Sequence, residues 1–574
     1  MKYSPQFFIF IALISHVFIH PLNLSEMSLQ TRLKKPQFIF NLFFFGLLFC
    51  STVLSIWKYN AVLDDAYMFI RYANNMIKGG TYGWNFHEKT FGCTSIPYTF
   101  FIVLMKITGI GRILNPKQIL LAASCFWAIA AMLLFHKTLK MITRGSQLSN
   151  NIFLKGIILL IVLTPTFVTN MGYGMDTTLS LFANTLVLYL LLSFLEAPSF
   201  RKLAVAVGSC YFTFLVRPDN IIYAGTLPFL FLFFNKRPRK EFFLTYSILG
   251  GLLLLDTLIK YFYFGNPLPL PFYAKSSGFY EGYVGIFKWN PMEYLLIFLL
   301  SFGSLLLLLN ILAFTRKTLR ASAPYLIPFI LTMGYYFTVT QIMGMSGRYY
   351  LPSIPFLVGG LIAALSASLS EKTNFIAPVK ITSVVVMVTA FLFSYTFITP
   401  IYNSWKMSKA VAIAKAFTKD TPDKTYEAPV ESWGGALNTI SNTLTHLPKD
   451  IRIAASEYGY ISAYNPDLPI LDLCGLQDKY IAMRGWNDSV LRAFNPDLIW
   501  MIHKDYTALY YKISHGAYFM EAYDFYPNVL AYGIAVRKNS SYYALIKNEL
   551  IIEARHENQV IQFAHLPAQL QDHY

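Results

Sequence analysis

The sequence predicts a polytopic α-helical membrane protein with about eleven transmembrane helices and a C-terminal α/β domain outside the cytoplasm. Three observations predict it. The 574 residues are 55% hydrophobic and only 13% charged, a balance foreign to a soluble enzyme. Apolar segments of near-spanning length recur from residue 38 to residue 399. After Pro400 the composition turns polar and no spanning segment follows. The net charge of +17 does not indicate a nucleic-acid partner, because most Lys and Arg lie in short loops between apolar segments, the topological pattern of membrane proteins.

Residues 1–37 read as a cytoplasmic N-terminal segment. Phe7–Ile19 is apolar but short, His16 and His20 interrupt or flank it, and no small-residue cleavage site stands out. Met27 opens MSLQTRLKKP, an ordinary cytoplasmic start. A start at Met27 is favoured over an extra hydrophobic segment.

The membrane part covers 38–400. Spans are expected at 38–57, 117–136, 153–170, 176–195, 203–217, 219–234, 243–263, 292–314, 323–342, 350–369 and 377–399, some near the short end of the usual ~17–25 residues. Within the first outer loop, 58–116, Ile96–Ile107 is too short and too interrupted to span and reads as a surface helix or a re-entrant piece. Positive charge gathers at Arg32, Lys34 and Lys35, at His136–Arg144, at Arg201 and Lys202, at Asn235–Lys240, and at Arg316, Lys317 and Arg320. With eleven spans these loops share one side, which is then cytoplasmic. The alternate loops carry Asp64-Asp65, Asn170–Asp176, Arg217-Pro218-Asp219, Gly265–Gly278 and Ser346–Tyr350. Their convergence on the outer side was no input to the count, and it predicts one extracytoplasmic site.

Residues 401–574 read as a soluble outer domain. Apolar runs at Ile451–Ser456, Ile470–Leu473 and Leu498–Ile502, the last after Asn495-Pro496-Asp497, alternate with turn residues. The five cysteines lack metal-ligand spacing. Cys93 and Cys474 face the outer compartment, but no disulfide between them is expected.

Asp64–Gly80 is the stretch around which the chemistry gathers. Ala66, Phe69, Ile70, Ala73, Met76 and Ile77 recur at helical spacing until Gly79-Gly80 end the pattern. Asp64 and Arg71 then share one helix face. A carboxylate here serves as a general base or a metal ligand, or is an ordinary favourable helix N-terminus. Arg217 either snorkels at the bilayer edge or holds phosphate oxygens in its planar fork. Lys275, after a proline-rich turn, is a phosphate point charge or an interfacial anchor. Arg348, beside an aromatic belt of Tyr349 and Tyr350, is a third possible anion contact. His87 and Glu88 follow Gly80 and suit sugar hydroxyls. Asp256 and Lys260, at i and i+4 in one apolar segment, read as a pair that neutralises itself. No P-loop, His-Glu-x-x-His or nucleophile elbow is present.

Asp64–Ala73 (DDAYMFIRYA), with Gly83-Trp84-Asn85 and Thr94-Ser95, resembles the first outer loop of a bacterial family of GT-C-type membrane glycosyltransferases that includes the mycobacterial terminal arabinofuranosyltransferases. The resemblance continues in order through Gly174–Thr177, Arg217-Pro218-Asp219, Pro271–Lys275, Arg348–Pro352 and Ile470–Leu476, and covers roughly residues 38–505. It implies a GT-C-like catalytic domain in the bacterial cytoplasmic membrane. Such an enzyme takes a sugar from a polyprenyl phosphate, not from a nucleotide sugar, and passes it to a glycan or lipid acceptor.

By that resemblance Asp64 is the preferred catalytic base, with Asp65 its neighbour and possible substitute. Lys275, Arg217 and Arg348 become lipid-phosphate contacts, and Arg71, His87, Asp176, Asp219 and Tyr273 join the substrate-binding set. Asp176 and Asp219 stand where the family more often has Glu, which keeps the charge and shortens the reach. A single displacement inverts the anomeric centre. No cofactor is expected, and a divalent metal is not expected to be obligatory, because the donor is a monophosphate. Two competing classes remain: a transporter of lipid-linked glycan, and a ligase or polymerase acting on a diphosphate carrier.

Overall fold

The computed structural model describes residues 62–149, 151–276, 291–303, 315–338, 347–369, 433–503, 506–527 and 529–552. The expected spans 38–57 and 377–399, and the N-terminal segment 1–37, lie outside these residues.

Helix α1 runs Asp64–Gly79 and stops where Gly80 turns left-handed. Helix α2, Ile96–Ile107, has 12 residues, too short to cross a bilayer, as its sequence suggests. Among the described residues four helices are long and apolar enough to cross a membrane: Pro116–Ile142 (α3), Thr177–Glu196 (α4), Arg239–Phe264 and Leu351–Leu369. Each overlaps an expected span. The expected span 153–170 is a bent pair, Phe153–Leu163 and Thr166–Gly172, at 61° to one another. Pro165 sits at the break, and Thr164 accepts the Phe167 N–H to start the second piece.

The described residues hold four such helices, or five with the bent pair, so the count of eleven is not reached among them. The segments 203–217 and 219–234 are helices Phe200–Val216 (α5) and Ile221–Phe234 (α6), 17 and 14 residues long. At 1.5 Å per residue the second reaches only about 21 Å, short of a ~30 Å hydrocarbon core. Pro218 and a short 3-10 turn separate them. Helix Arg316–Thr338 begins within the basic cluster Arg316, Lys317 and Arg320 and carries Pro324 and Pro328 inside it.

A buried polar knot holds the short helices to the long ones. Asn184 on α4 donates to the Asn220 side chain at 3.2 Å and to the Pro352 carbonyl at 3.0 Å, and accepts from Thr213 at 2.7 Å. Asn220 also donates to Ser180 at 2.8 Å. These bonds fix the Arg217–Asn220 turn against the Arg348–Ser353 segment. Asp256 and Lys260 pair at 2.6 Å within their helix, as their spacing predicts, and Tyr211 donates to Asp256 at 3.1 Å.

Strands β1 (Ile453–Ala455), β2 (Ile470–Asp472), β3 (Leu498–Trp500), β4 (Tyr523–Tyr526) and β5 (Ile534–Arg537) form one mixed sheet in the order β2-β1-β3-β5-β4. The first three run parallel and the last two pair antiparallel. The parallel strands are buried at every residue, which is why they read as unbroken apolar runs.

This domain is not a separate body. Phe69, Tyr72 and Trp84 from the first loop share one hydrophobic core with Ile453, Ile470 and Trp500. The edge strand β2 is covered by the same loop. Trp84 Nε1 donates to the Ile470 carbonyl at 2.9 Å, and Asn85 accepts the Ile470 N–H at 3.0 Å. Cys93 and Cys474 are buried thiols that are not joined in a disulfide.

The seam is close enough to demand glycine. A Cβ on Gly459 meets the Asp64 carbonyl oxygen at 2.0 Å, and one on Gly92 meets the Gln477 side chain at 2.0 Å. Gly459→Ala therefore lowers the urea midpoint of the detergent-solubilised protein, by an overpacking cost of about 1–3 kcal/mol. An unchanged midpoint contradicts this account of the seam.

Candidate active site

The first turn of α1 sends its two carboxylates to different partners. Leu63 donates its N–H to the Tyr173 carbonyl at 3.2 Å, which fixes the entry to the helix on the 170–176 stretch. Successive residues are then turned by about 100°. Asp64 faces the C-terminal domain. Its Oδ1 accepts the Tyr460 N–H at 2.7 Å and its Oδ2 the Gly459 N–H at 2.8 Å. Those donors open helix α7, Gly459–Tyr464. Asp65 faces the membrane part, where its Oδ2 accepts from Arg348 Nη2 at 3.2 Å. The Asp65 side chain keeps 35% of its surface exposed, against 7% for Arg348.

Arg348 reaches Asp65 from a turn that glycine makes possible. Gly347 takes φ +67°, a left-handed conformation that a side chain resists. Arg348 Nη2 also meets the Tyr349 hydroxyl at 3.4 Å. Its Nε and Nη1 are buried and find no hydrogen-bond partner among the described residues. A buried guanidinium with open donors is costly unless an anion completes it.

Arg217 is already engaged. It donates to the two oxygens of Asp219 at 3.1 and 2.9 Å and lies 3.9 Å from the Asp176 carboxylate. Asp219 also accepts the Tyr336 hydroxyl at 2.7 Å. Asp176 stands at the N-cap of α4 but makes no cap hydrogen bond with its side chain. The Arg217 and Arg348 guanidiniums lie 5.3 and 5.2 Å from the Tyr349 ring centroid. Lys275 ends the exposed tip of Leu270–Ser276. Burial acts to raise the Tyr349 phenol, yet Lys275, Arg348 and Arg217 outweigh it and hold the group below its ordinary range. The cluster is therefore electropositive around Tyr349 and acidic around Asp64. Burial pushes Asp64 up to about 7 against the Tyr460 and Gly459 N–H groups, with Asp65 adding to the rise.

The structure thus brings together Asp64, Asp65, Asp176, Arg217, Asp219, Lys275 and Arg348. Three other expected residues do different work. Arg71 is 1% exposed and donates to the carbonyls of Trp84, Asn465, Pro466 and Leu468 and to the Asn85 side chain. It holds the domain seam. Burial lowers it to about 10, with Asp467 and Glu88 acting the other way. His87 lies on an exposed loop, edge-on to Phe86. Tyr273 packs beside Leu270, Ala274 and Ala482. Among the described residues, the ring of His87 meets Phe86 and that of Tyr273 meets Phe272, away from the cluster.

Sequence reasoning missed Tyr336, the Gly459–Tyr460 backbone and the direct part of Tyr349. One tyrosine in an apolar helix carries no signal among 39 in the chain, and backbone donors carry none at all. No group of three or more His, Cys, Asp or Glu among the described residues is arranged to hold a metal ion.

Residues 425–545 match a domain of unknown function (DUF8728). No curated protein matches the sequence. Among solved structures, ArnT from Cupriavidus metallidurans in the apo state is similar at 12% identity, over 88% of this chain and 98% of that chain, with a TM-score of 0.49. The same enzyme bound to undecaprenyl phosphate is similar at 12% identity, over 87% and 98%, with a TM-score of 0.48. The oligosaccharyltransferase AglB from Archaeoglobus fulgidus, in complex with an inhibitory peptide and a dolichol-phosphate, is similar at 12% identity, over 87% and 74%, with a TM-score of 0.46. These neighbours are GT-C glycosyltransferases. At such distances the likeness assigns no residue of this chain a role.

The raised Asp64 value has a stability consequence with a definite sign. The folded protein keeps a proton there that an unfolded carboxyl, at ~3.9, has lost. That contribution is fully present below about pH 4 and is lost as the pH rises through about 7. The urea midpoint falls across this window in the wild type, and Asp64→Asn flattens the fall. An equal slope in both proteins contradicts the assignment.

Proposed function

We propose that this chain is an integral-membrane glycosyltransferase. It moves a sugar from a polyprenyl-phosphate donor to a glycan or lipid acceptor at the extracytoplasmic face of the cytoplasmic membrane. The observation that carries the reading is the buried Arg348 guanidinium, bonded to Asp65 and holding two open donors. An anionic phosphate is the group that such a fork accepts best.

In this reading the acceptor hydroxyl gives its proton to Asp65 as its oxygen attacks the anomeric carbon. The bond from that carbon to the phosphate oxygen breaks, and the electron pair leaves with the lipid phosphate. Arg348 meets the growing negative charge, with Lys275 and Arg217 adding positive potential. One displacement inverts the centre. Asp65 is preferred to Asp64 as the base because both Asp64 oxygens already accept backbone N–H groups. No step is assigned to a metal ion.

A transporter asks for charged groups along the path within the membrane. Asp256 and Lys260, charged groups inside one of the apolar helices, neutralise each other. A ligase or polymerase differs in the carrier, so donor choice separates it.

The test is transfer of radiolabelled sugar by purified protein from synthetic polyprenyl-phosphate arabinofuranose, mannose and glucose. Asp65→Asn lowers turnover by about 10²–10⁴-fold, and Asp64→Asn by much less. Arg348→Gln raises KM for the donor. Full activity in Asp65→Asn with loss in Asp64→Asn returns the base to Asp64. Turnover confined to diphosphate donors selects the ligase or polymerase. Asp65-dependent movement of lipid-linked glycan across vesicles, without transfer, selects the transporter.

A further inference from the structure

The sequence offers Tyr349 and Tyr350 as one aromatic belt, but the structure sends their rings to different places. Tyr350 is fully buried, its ring 5.3 Å from that of Tyr336 and 6.0 Å from that of Phe298. Tyr349 is only partly buried and turns towards the cations of the site. Its ring centroid lies 5.3 Å from the Arg217 guanidinium and 5.2 Å from that of Arg348. Both distances fall within the ~6 Å over which an aromatic face attracts a cation.

These contacts close a circuit. Arg217 grips Asp219 through hydrogen bonds of 3.1 and 2.9 Å, and Tyr336 donates its hydroxyl to the same carboxylate at 2.7 Å. The Tyr336 ring stands 6.2 Å from that of Tyr349, and Tyr349 meets both arginines. The two arginines are not equivalent. Arg217 has its countercharge in Asp219. Arg348 reaches a carboxylate through Nη2 alone, at 3.2 Å from Asp65. The Tyr349 hydroxyl meets that same nitrogen at 3.4 Å, long for a hydrogen bond, so the ring face is the stronger hold. The Nε and Nη1 donors stay open among the described residues.

A planar fork tied at one nitrogen is free to turn about that tie, and two like charges near one ring push each other away. An aromatic face shared by both cations opposes each of these motions. We infer that Tyr349 is a positioning residue: its ring fixes the Arg348 guanidinium so that the open donors are held ready for the phosphate of the lipid donor. The gain is preorganisation, since a fork already in place loses less freedom when the anion arrives. The inference rests on the glycosyltransferase reading for its part in a reaction, but phosphate binding is measured without any transfer.

The experiment is calorimetric titration of the full chain in detergent with synthetic polyprenyl phosphate. The proteins are the wild type, Tyr349→Phe, Tyr349→Leu, Arg348→Gln, and Tyr349→Leu combined with Arg348→Gln. Tyr349→Phe keeps the ring and binds within about threefold of the wild type. Tyr349→Leu raises Kd about tenfold. In the Arg348→Gln background the same substitution changes Kd by less than about twofold, because the group it acts through is gone. If Tyr349→Leu does not fold, Tyr349→Met, which fills space without a ring, carries the comparison. Equal weakening in both backgrounds marks a tyrosine that only supports the fold and overturns the inference. So do unchanged affinity in Tyr349→Leu, a loss in Tyr349→Phe as large as in Tyr349→Leu, and no binding of polyprenyl phosphate to the wild type. Absence of sugar transfer from every donor, with the Arg348-dependent loss intact, overturns the glycosyltransferase reading and leaves the role of Tyr349 standing.

Discussion

The Arg71 guanidinium is the constraint on which the arrangement around Asp65 depends. Among the described residues no carboxylate is in direct contact with this buried cation. Carbonyls from both sides of the seam surround it instead. Removing a charge from water costs several kcal/mol, and only a dense set of acceptors offsets that. Arginine suits the task because its donors leave in a fixed planar fork, which a lysine ammonium cannot reproduce. Two turns before it on the same helix, Asp64 makes the opposite kind of contact, a carboxylate against two amide N–H groups. One helix thus carries a carboxyl group and a guanidinium that both close on the C-terminal domain. Asp65, between them in sequence, is turned out of that seam and left for Arg348.

In the proposed reading this division separates holding from reacting in two neighbouring residues of the same type. Asp64 and Asp65 differ in surroundings, not chemistry. The first lies half-buried under backbone amides, and the second keeps an open face. On the membrane side, the Asn184 knot ties the Arg217 turn to the segment that carries Arg348. Neither arginine is placed by its own helix. Arg217 stands at a break made by Pro218, and Arg348 follows a left-handed glycine.

Local pattern made much of this readable. The start of α1 at Asp64 and its stop at Gly80 follow from apolar spacing and a glycine. The runs at 451–456, 470–473 and 498–502 contain the three parallel strands, because strands covered on both faces need no polar alternation. The outward loops that positive charge placed on one side include most residues of the cluster. What stayed hidden depends on distance along the chain. Asp64 and Arg71 do share a helix, but their partners lie at 459–468. Tyr336 looks like any membrane tyrosine until Asp219 meets it. Strand β4 is mixed in polarity, and the apolar run of β5 is only three residues long before Arg537, so neither carries a strong strand signal. The lengths of α5 and α6 lie close to those of the apolar segments 203–217 and 219–234, and the break falls at Arg217-Pro218-Asp219, where the apolar pattern stops.

The sequence separation across the seam sets an order of events. Arg71 and the Leu468 carbonyl that it meets are 397 residues apart. At a synthesis rate of ~5–20 residues per second, roughly 20–80 s pass between the appearance of one and of the other. During that interval the first loop exists without the groups that neutralise its cation or cover Trp84. Asp65 and Arg348 can already be in the membrane, yet the helix that aims Asp65 has no counterpart to lean on. The setting of Asp65 is therefore among the last features of the molecule to come into being, completed by a part of the chain made long after the carboxylates themselves.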